Sequence, residues 1–240
     1  GVLITLDDHT EERRVRATRG RYVDSAIVDE LLAHHDSTLG GSECDATVLF
    51  TDIRDFTSRT EQLGAQETVA LINSFFTRMV ECVQPEGGVV DKFVGDSMMA
   101  TFGVPLPKGD EPDRALRTAQ AMLDALTKWN RERQQRGRFP VHIGIGVSRG
   151  QVVAGNVGAP NRMDFTIIGQ GVNLASRLEG ACRWFGVSAL VADDALRACT
   201  DEYPTREVGW IQPKGAARAS LVQELLPPDS PMLACARLLD

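Results

Sequence analysis

The sequence lacks most of the signatures that identify a common enzyme class at sight. It has no GxxxxGK[ST] phosphate loop and no GxSxG nucleophile elbow. Its glycine-rich stretch GIGVSRGQVVAGNVG holds no GxGxxG after a strand, so those glycines read as tight turns and close packing in a hairpin. The five cysteines (Cys44, Cys82, Cys182, Cys199 and Cys235) are scattered and odd in number, with no CxxC. That argues against a disulfide frame or zinc site and for the reduced thiols of a cytoplasmic protein. The four histidines, His9, His34, His35 and His142, have no metal-ligand spacing. No apolar run approaches the roughly 18–20 residues needed to span a bilayer. The start, GVLITLDDHTEERR, turns charged too soon for a signal peptide. A net charge of −7 gives no general pull toward nucleic acid, so a polyanionic ligand would need local cations or metals. There is no internal repeat.

What remains is a chain of 240 residues, 42% hydrophobic and 25% charged, the size of one large domain with a short appendage. Residues 1–43 read as a separate lead-in. GVLITL alternates like a strand, residues 10–21 continue as a polar, basic helix, and RYVDSAIVDELLAHH follows with Asp24 as a candidate N-cap. STLGGSE is a flexible joint. The main domain spans 44–226, and 227–240 is a tail. ATVLFTDI reads as a hydrophobic strand, TEQLGAQETVALINSFFTRMVECV as a long amphipathic helix, and GGVVDKFVGDSMMATFG as a hairpin. DEPDRALRTAQAMLDALTKWNRERQQRG is a second long helix, and FPVHIGIGVSRGQVVAGNVG reads as strand–turn–strand. FTIIG, VNLASRLEGACRWFG, VSALVA, a short helix and a last hairpin near Gly209–Gln223 complete the order. The expectation is an α+β fold. Its ferredoxin-like β-α-β-β-α-β core carries further C-terminal α/β elements, with helices over one face of a mostly antiparallel sheet.

Two acidic residues occupy places where chemistry is possible. Asp52 ends a buried strand and Asp96 sits in the turn of the VVDKFVGDSMMATFG hairpin. In a β-α-β-β core the first strand commonly lies beside the hairpin, so the two tips can meet. Carboxylates that close repel unless a cation lies between them, and Mg²⁺ or Mn²⁺ suits oxygen ligands shared with phosphates. The alternative is a helix cap and an ordinary turn residue. After Asp52 the chain enters a helix through Ile53, Arg54, Asp55, Phe56 and Thr57. Its free N–H groups favour phosphate oxygens, unless Thr57 or Asp55 simply caps it. Asn173 and Arg177 lie four apart and share a helix face. Leu174, Leu178 and Ala181 would face the core. Arg177 could hold a developing phosphate charge, or could pair with Glu179 or Asp164. Lys214, between Pro213 and Gly215, has a restrained backbone and either an aimed tip or a solvent-facing one.

Together these segments resemble the class III nucleotidyl cyclases. FTDIRDFT is similar to that family's first metal-binding motif. VDKFVGDSMMATFG is similar to its lysine-bearing hairpin with the second metal aspartate. FTIIGQGVNLASRLE is similar to its base-recognition and transition-state segment. The motifs run in order from about residue 45 to 225. The resemblance implies that Asp52, Ile53 and Asp96 hold two Mg²⁺ or Mn²⁺ ions, and that the ribose 3′-hydroxyl of a nucleoside triphosphate attacks the α-phosphorus in line. Asn173 would orient the ribose, Arg177 would stabilise the transition state, and Phe56, Thr57 and Lys214 would contact substrate.

The resemblance also bears on the base. Lys92 and Thr166 stand at the family's two specificity positions. Lysine only donates, adenine N1 accepts, and guanine N1 carries a hydrogen. Thr166 can accept from the adenine amino group, although a hydroxyl also donates. ATP is therefore the expected substrate and cyclic AMP the product, and the Lys/Thr pair resembles the bicarbonate-responsive subgroup. Asp91 is read as a surface charge. One departure is Asp55, where the family usually has glycine. A carboxylate there could oppose the phosphates by about a kcal/mol or more, or could cap the helix and point away. Relatives work as head-to-tail dimers, so one chain with both residue sets implies a homodimer with two equivalent sites. GVLITLDDHTEERR resembles the end of a PAS-type sensor, which implies an upstream sensor domain in the full-length protein. The rival readings are a guanylyl cyclase and a cyclase-like domain that only dimerises and regulates.

Overall fold

A computed structural model describes residues 40–61, 63–159, 161–212 and 219–227. The expected sensor remnant and signalling helices before residue 40, and the tail beyond residue 227, lie outside these. Strand β1 (Gly40–Ile53) is followed by a short helix, α1 (Phe56–Thr60), and a long one, α2 (Ala65–Val83). The hairpin is β2 (Val89–Val94) and β3 (Ser97–Phe102), and α3 (Glu111–Gln135) follows. Then come β4 (Ile143–Ala159), β5 (Arg162–Gly169) and α4 (Gln170–Phe185). The chain continues through β6 (Ala189–Ala192), α5 (Asp193–Leu196), β7 (Thr205–Ile211) and β8 (Ser220–Leu225).

The strands form one sheet in the order β2-β3-β1-β4-β6-β8-β7, with β5 paired to β4. Only the β4–β6 pairing is parallel among the described strands. Alternation along β1 sorts the core into two layers, because successive strand side chains point to opposite faces. Leu49 and Ile53 pack with Leu71, Phe75 and Met79 of α2 and with Leu116 and Met122 of α3. Ala46 and Val48 pack on the other face with Met99, Val152 and Ala175 of α4. The expected arrangement of helices over one face therefore holds for α2 and α3, while α4 lies on the opposite face. Each of the large apolar side chains so buried contributes roughly 1.5–3 kcal/mol.

The segment expected as strand–turn–strand is one continuous strand. β4 is 17 residues long and passes straight through Ser148, Arg149 and Gly150. β1 pairs with it along the whole length, from Gly40↔Asn156 to Ile53↔Ile143. The Ser148 hydroxyl is buried and donates to the Gly171 carbonyl of α4 at 2.6 Å. A partner strand of matching length holds the segment extended, and that partner is about a hundred residues away in sequence. No helix among the described residues is long and apolar enough to cross a membrane.

Two local features carry measurable consequences. Asp113, near the start of α3, is 1% exposed. It accepts the backbone N–H groups of Thr200 and Asp201 and the hydroxyls of Thr200 and Tyr203, at 2.9–3.1 Å. Burial alone would raise its pKa, but these four donors outweigh burial and hold the carboxyl below its usual range. Its stabilisation is thus present above the unfolded carboxylate pKa of about 4 and is lost as pH falls through the lower folded value. Urea titrations should find Asp113→Asn about 1–3 kcal/mol less stable at pH 7. The gap should narrow steadily below pH 4, and a gap that stays constant to pH 2 would refute this account. Asp55 precedes α1 with φ 56° and ψ 28°, in the left-handed region, and makes no side-chain cap. Its partner is Arg183 at 3.2 Å, an exposed pair contributing about 0–1 kcal/mol. Left-handed backbone costs a non-glycine residue roughly 1–2 kcal/mol. Asp55→Gly is expected to raise the unfolding midpoint by about 2–4 °C, as 1 kcal/mol does in a domain this size. A lower midpoint in differential scanning calorimetry would mean that the ion pair outweighs the strain.

Candidate active site

The β-α-β-β order brings the two aspartates together. Antiparallel pairing of β1 with β3 sets Thr51 opposite Met98, so Asp52 arrives beside the Gly95–Asp96 turn. Gly95 turns with φ 64°, a conformation that suits glycine. The Ser97 hydroxyl donates to Asp52 Oδ2. Asp96 is pushed up to about 6, by burial first and then by the negative charge of Asp52. Ile53 is 2% exposed with its side chain in the core, which leaves only its backbone carbonyl as a possible ligand.

A third carboxyl joins them from α4. Glu179 is pushed up to about 7, by burial first, then by Asp52 and Asp96, with Arg54 opposing. It reaches this position because β4 carries glycine where α4 crosses it. A Cβ on Gly146 would sit 2.1 Å from the Ala175 carbonyl oxygen and 2.3 Å from the Glu179 nitrogen. A Cβ on Gly144 would meet the Glu179 carboxyl at 2.6 Å. Arg54 is anchored by a hydrogen bond from its guanidinium to the Val187 carbonyl, and its backbone N–H donates to the His142 carbonyl at 2.8 Å. Sequence reasoning treated Glu179 only as a possible partner for Arg177 and gave Arg54 no role. Glu179 had a signal: it follows Ala175 by four residues and Leu178 by one, on the stripe α4 buries.

Among the described residues, no group of three or more His, Cys, Asp or Glu side chains is arranged to hold a metal ion. The donor set fits a divalent cation bound in another way. Asp52 and Asp96 are hard oxygen groups whose mutual repulsion a cation would relieve, and Mg²⁺ is usually held by one or two carboxylates with phosphates completing its shell.

Asn173 and Arg177 lie on the exposed face of α4, as expected, and Ala175, Leu178 and Ala181 are buried beneath them. Neither side chain makes a hydrogen bond or ion pair with the described residues, so Arg177 is not engaged by Glu179 or Asp164. Arg177 and Glu179 are two positions apart, about 200° around the helix. The face that delivers Glu179 to Asp52 therefore turns Arg177 away. Phe56 is half-buried against the core, and Thr57 is exposed at the start of α1 with its carbonyl accepting the Thr60 hydroxyl at 3.0 Å. α1 is only five residues long, and neither Thr57 nor Asp55 caps it. The Asp55 carboxylate is drawn to Arg183. Lys214 lies outside the described residues.

Lys92 and Thr166 meet through a residue that the sequence reading set aside. The Asp91 side chain is 4% exposed, not a surface charge, and its Oδ2 lies 3.3 Å from Lys92 Nζ. The same oxygen accepts the Thr166 hydroxyl at 3.0 Å, across from β5 to β2. The cause is a bulge. Val90 pairs with Ala100 and Lys92 with Met99, so Asp91 is the extra residue and is re-aimed inward. Burial pushes the Asp91 carboxyl up, while Lys92 and the Thr166 hydroxyl pull it back.

Residues 41–217 match the family model described as the adenylate and guanylate cyclase catalytic domain. An adenylate cyclase of Anabaena cylindrica is 34% identical over 186 residues, covering 75% of this chain. The chain spans only 36% of that relative's length. The crystal structure of the adenylyl cyclase CyaB from P. aeruginosa is similar with a TM-score of 0.69 at 34% identity, over 80% of this chain and 97% of that one. The guanylyl cyclase Cya2 gives a TM-score of 0.72 at 29% identity, with the same coverage of both chains. With the family model spanning most of its length and relatives of this identity, the chain belongs to the adenylate and guanylate cyclase catalytic domain family.

Proposed function

We propose that the chain is the catalytic part of an adenylyl cyclase, converting ATP to 3′,5′-cyclic AMP and pyrophosphate at sites shared by two copies. The observation that carries this reading is the convergence of Asp52 and Asp96, which depends on the β1–β3 pairing and leaves two repelling carboxylates at one point. A general dependence on divalent metal belongs to this class of domain. Two such ions, held by the carboxylates of Asp52 and Asp96 and the carbonyl of Ile53, would neutralise the triphosphate and acidify the ribose 3′-hydroxyl.

The other roles fall to the chain's own side chains. The 3′-hydroxyl loses its proton to solvent, its oxygen bonds to the α-phosphorus as the bond to the bridging oxygen of the β-phosphate breaks, and pyrophosphate leaves. Arg177 donates its planar fork to the charge that grows on the phosphoryl oxygens. Asn173, one turn earlier on the same exposed face, orients the ribose. The N–H groups around Phe56 and Thr57, together with Lys214, contact the phosphates. Arg177 faces away from its own Asp52, so the Arg177 that serves a given carboxylate pair comes from the second copy. Apolar side chains left exposed on the hairpin tip and on β4 and β5, including Phe93, Val94, Val153 and Ile168, suit a surface that another copy covers.

The fold does not choose the base, since solved cyclases of both kinds share it. Lys92 and Thr166 support ATP. The residues preceding the domain would couple it to an upstream sensor, and the free cysteines among the described residues suit a cytoplasmic setting.

Purified protein incubated with ATP and Mn²⁺ should form cyclic AMP, with GTP the poorer substrate. Asp52→Ala should abolish product, and Arg177→Ala should lower the rate on the order of 10²–10³-fold. Mixing the two dead variants should restore roughly a quarter of the wild-type rate, because half the dimers then hold one intact site of two. A mixture that stays inactive after subunit exchange is confirmed would rule out shared sites. No cyclic product from a confirmed wild-type dimer would refute the enzymatic reading.

A further inference from the structure

Thr166 poses a chemical problem for base selection. A hydroxyl carries one proton and two lone pairs, so a freely rotating threonine could accept from adenine N6 or donate to guanine O6. Lys92 favours adenine at N1 but does not settle the choice alone, since its ammonium can also donate to guanine O6. Selectivity requires something to fix the hydroxyl.

We infer that Asp91 is the positioning residue for base selection, acting through Thr166 and Lys92. This rests on the proposed use of ATP and deepens it. Three observations support the assignment. The Thr166 hydroxyl donates to Asp91 Oδ2 at 3.0 Å, and an ionised carboxylate only accepts. The proton of Thr166 is thereby committed to Asp91, and lone pairs alone face outward. Adenine presents an amino donor to them, whereas guanine presents a carbonyl oxygen that they repel. Second, the same Oδ2 holds Lys92 Nζ at 3.3 Å, so one oxygen sets both specificity side chains while two ammonium protons of Lys92 remain free. Third, the site is built. The Asp91 side chain is 4% exposed and Thr166 is buried, and Asp91 is turned inward by a bulge that interrupts the β2–β3 register at that residue. Bulges beside functional sites commonly serve to re-aim one side chain.

The test uses the whole chain with Mn²⁺ and two readouts. One is kcat/KM for ATP and for GTP. The other is displacement of a fluorescent mant-ATP by each nucleotide, which reports base preference whether or not turnover occurs. Asp91→Asn keeps the shape but offers Thr166 an amide that can donate, so the hydroxyl can turn its proton to the base. The ATP-over-GTP ratio is expected to fall about tenfold, the scale of one misplaced hydrogen bond to a base. In a Thr166→Val background the same substitution should change the ratio far less, because the hydroxyl through which Asp91 acts is gone. A purely structural Asp91 would lower both nucleotides together, and an unchanged ratio in folded Asp91→Asn overturns the inference. Should that variant fail to fold, the wild-type protein decides with inosine triphosphate, which differs from ATP only at position 6 and N1. Use of the inosine nucleotide as good as that of ATP overturns the inference; rejection comparable to GTP supports it. Cyclic AMP formed with selectivity intact in Asp91→Asn defeats the inference and keeps the proposed activity. ATP-selective displacement that Asp91→Asn relaxes, without cyclic product in the wild type, does the reverse. No displacement by ATP defeats both.

Discussion

The close approach of α4 to β4 is the constraint on which the site depends. Helices usually stand off a sheet by the thickness of two side chains. Here glycine at 144 and 146 removes one of those layers, and the backbone of α4 at Ala175 and Glu179 occupies the space a Cβ would need. Backbone atoms on both sides leave nothing flexible to give way, so even a methyl group at Gly146 would force the helix outward. Because α4 is seated this deeply, its inner face delivers Glu179 to Asp52. Its outer face, about 200° away around the helix, presents Asn173 and Arg177 to whatever lies outside the chain.

That seating concentrates negative charge. Asp52, Asp96 and Glu179 come from β1, a hairpin turn and α4, and Arg54 opposes the charge at Glu179. Without a cation the group is not fully ionised near neutral pH: burial and mutual repulsion hold Asp96 up to about 6 and Glu179 up to about 7. A packing arrangement chosen for stability would not gather three carboxyls in this way. The arrangement is intelligible if Asp52 and Asp96 are kept poised for a divalent cation, and a polyphosphate brought with that cation completes its shell.

Much of this is legible in the sequence, and two of the three departures share one cause, the pairing with a neighbouring strand. Alternation and helical periodicity gave the strands, the two long helices and the hairpin, because these are local patterns. The meeting of Asp52 with Asp96 followed from element order. FPVHIGIGVSRGQVVAGNVG reads as strand–turn–strand because its glycines permit tight turns, and what keeps it extended is a distant partner strand of equal reach. Asp91 reads as a surface charge because charges at a hairpin usually face water, and only the register slip against β3 reveals that it turns in. Glu179 differs: an acid on the stripe of Ala175, Leu178 and Cys182 is visible in the helix pattern alone.

The two faces of α4 also tie specificity to assembly. On one chain, the bulge of β2 and the inward side of β5 bring Lys92, Thr166 and Asp91 to a single oxygen, and the hairpin that carries Lys92 also carries Asp96. Lys92 and Asp96 are therefore on one hairpin, four residues apart, and under the proposed reading they serve base selection and phosphate neutralisation. Under the proposed reading, Arg177 arrives from the other copy on a helix whose depth is fixed by its own chain's glycines. A tilt between the two copies would then move Asn173 and Arg177 together, relative to the carboxylates and base-contacting side chains of the first copy. Such a dimer could regulate turnover through its interface while the choice of nucleotide, set within each chain, stays constant.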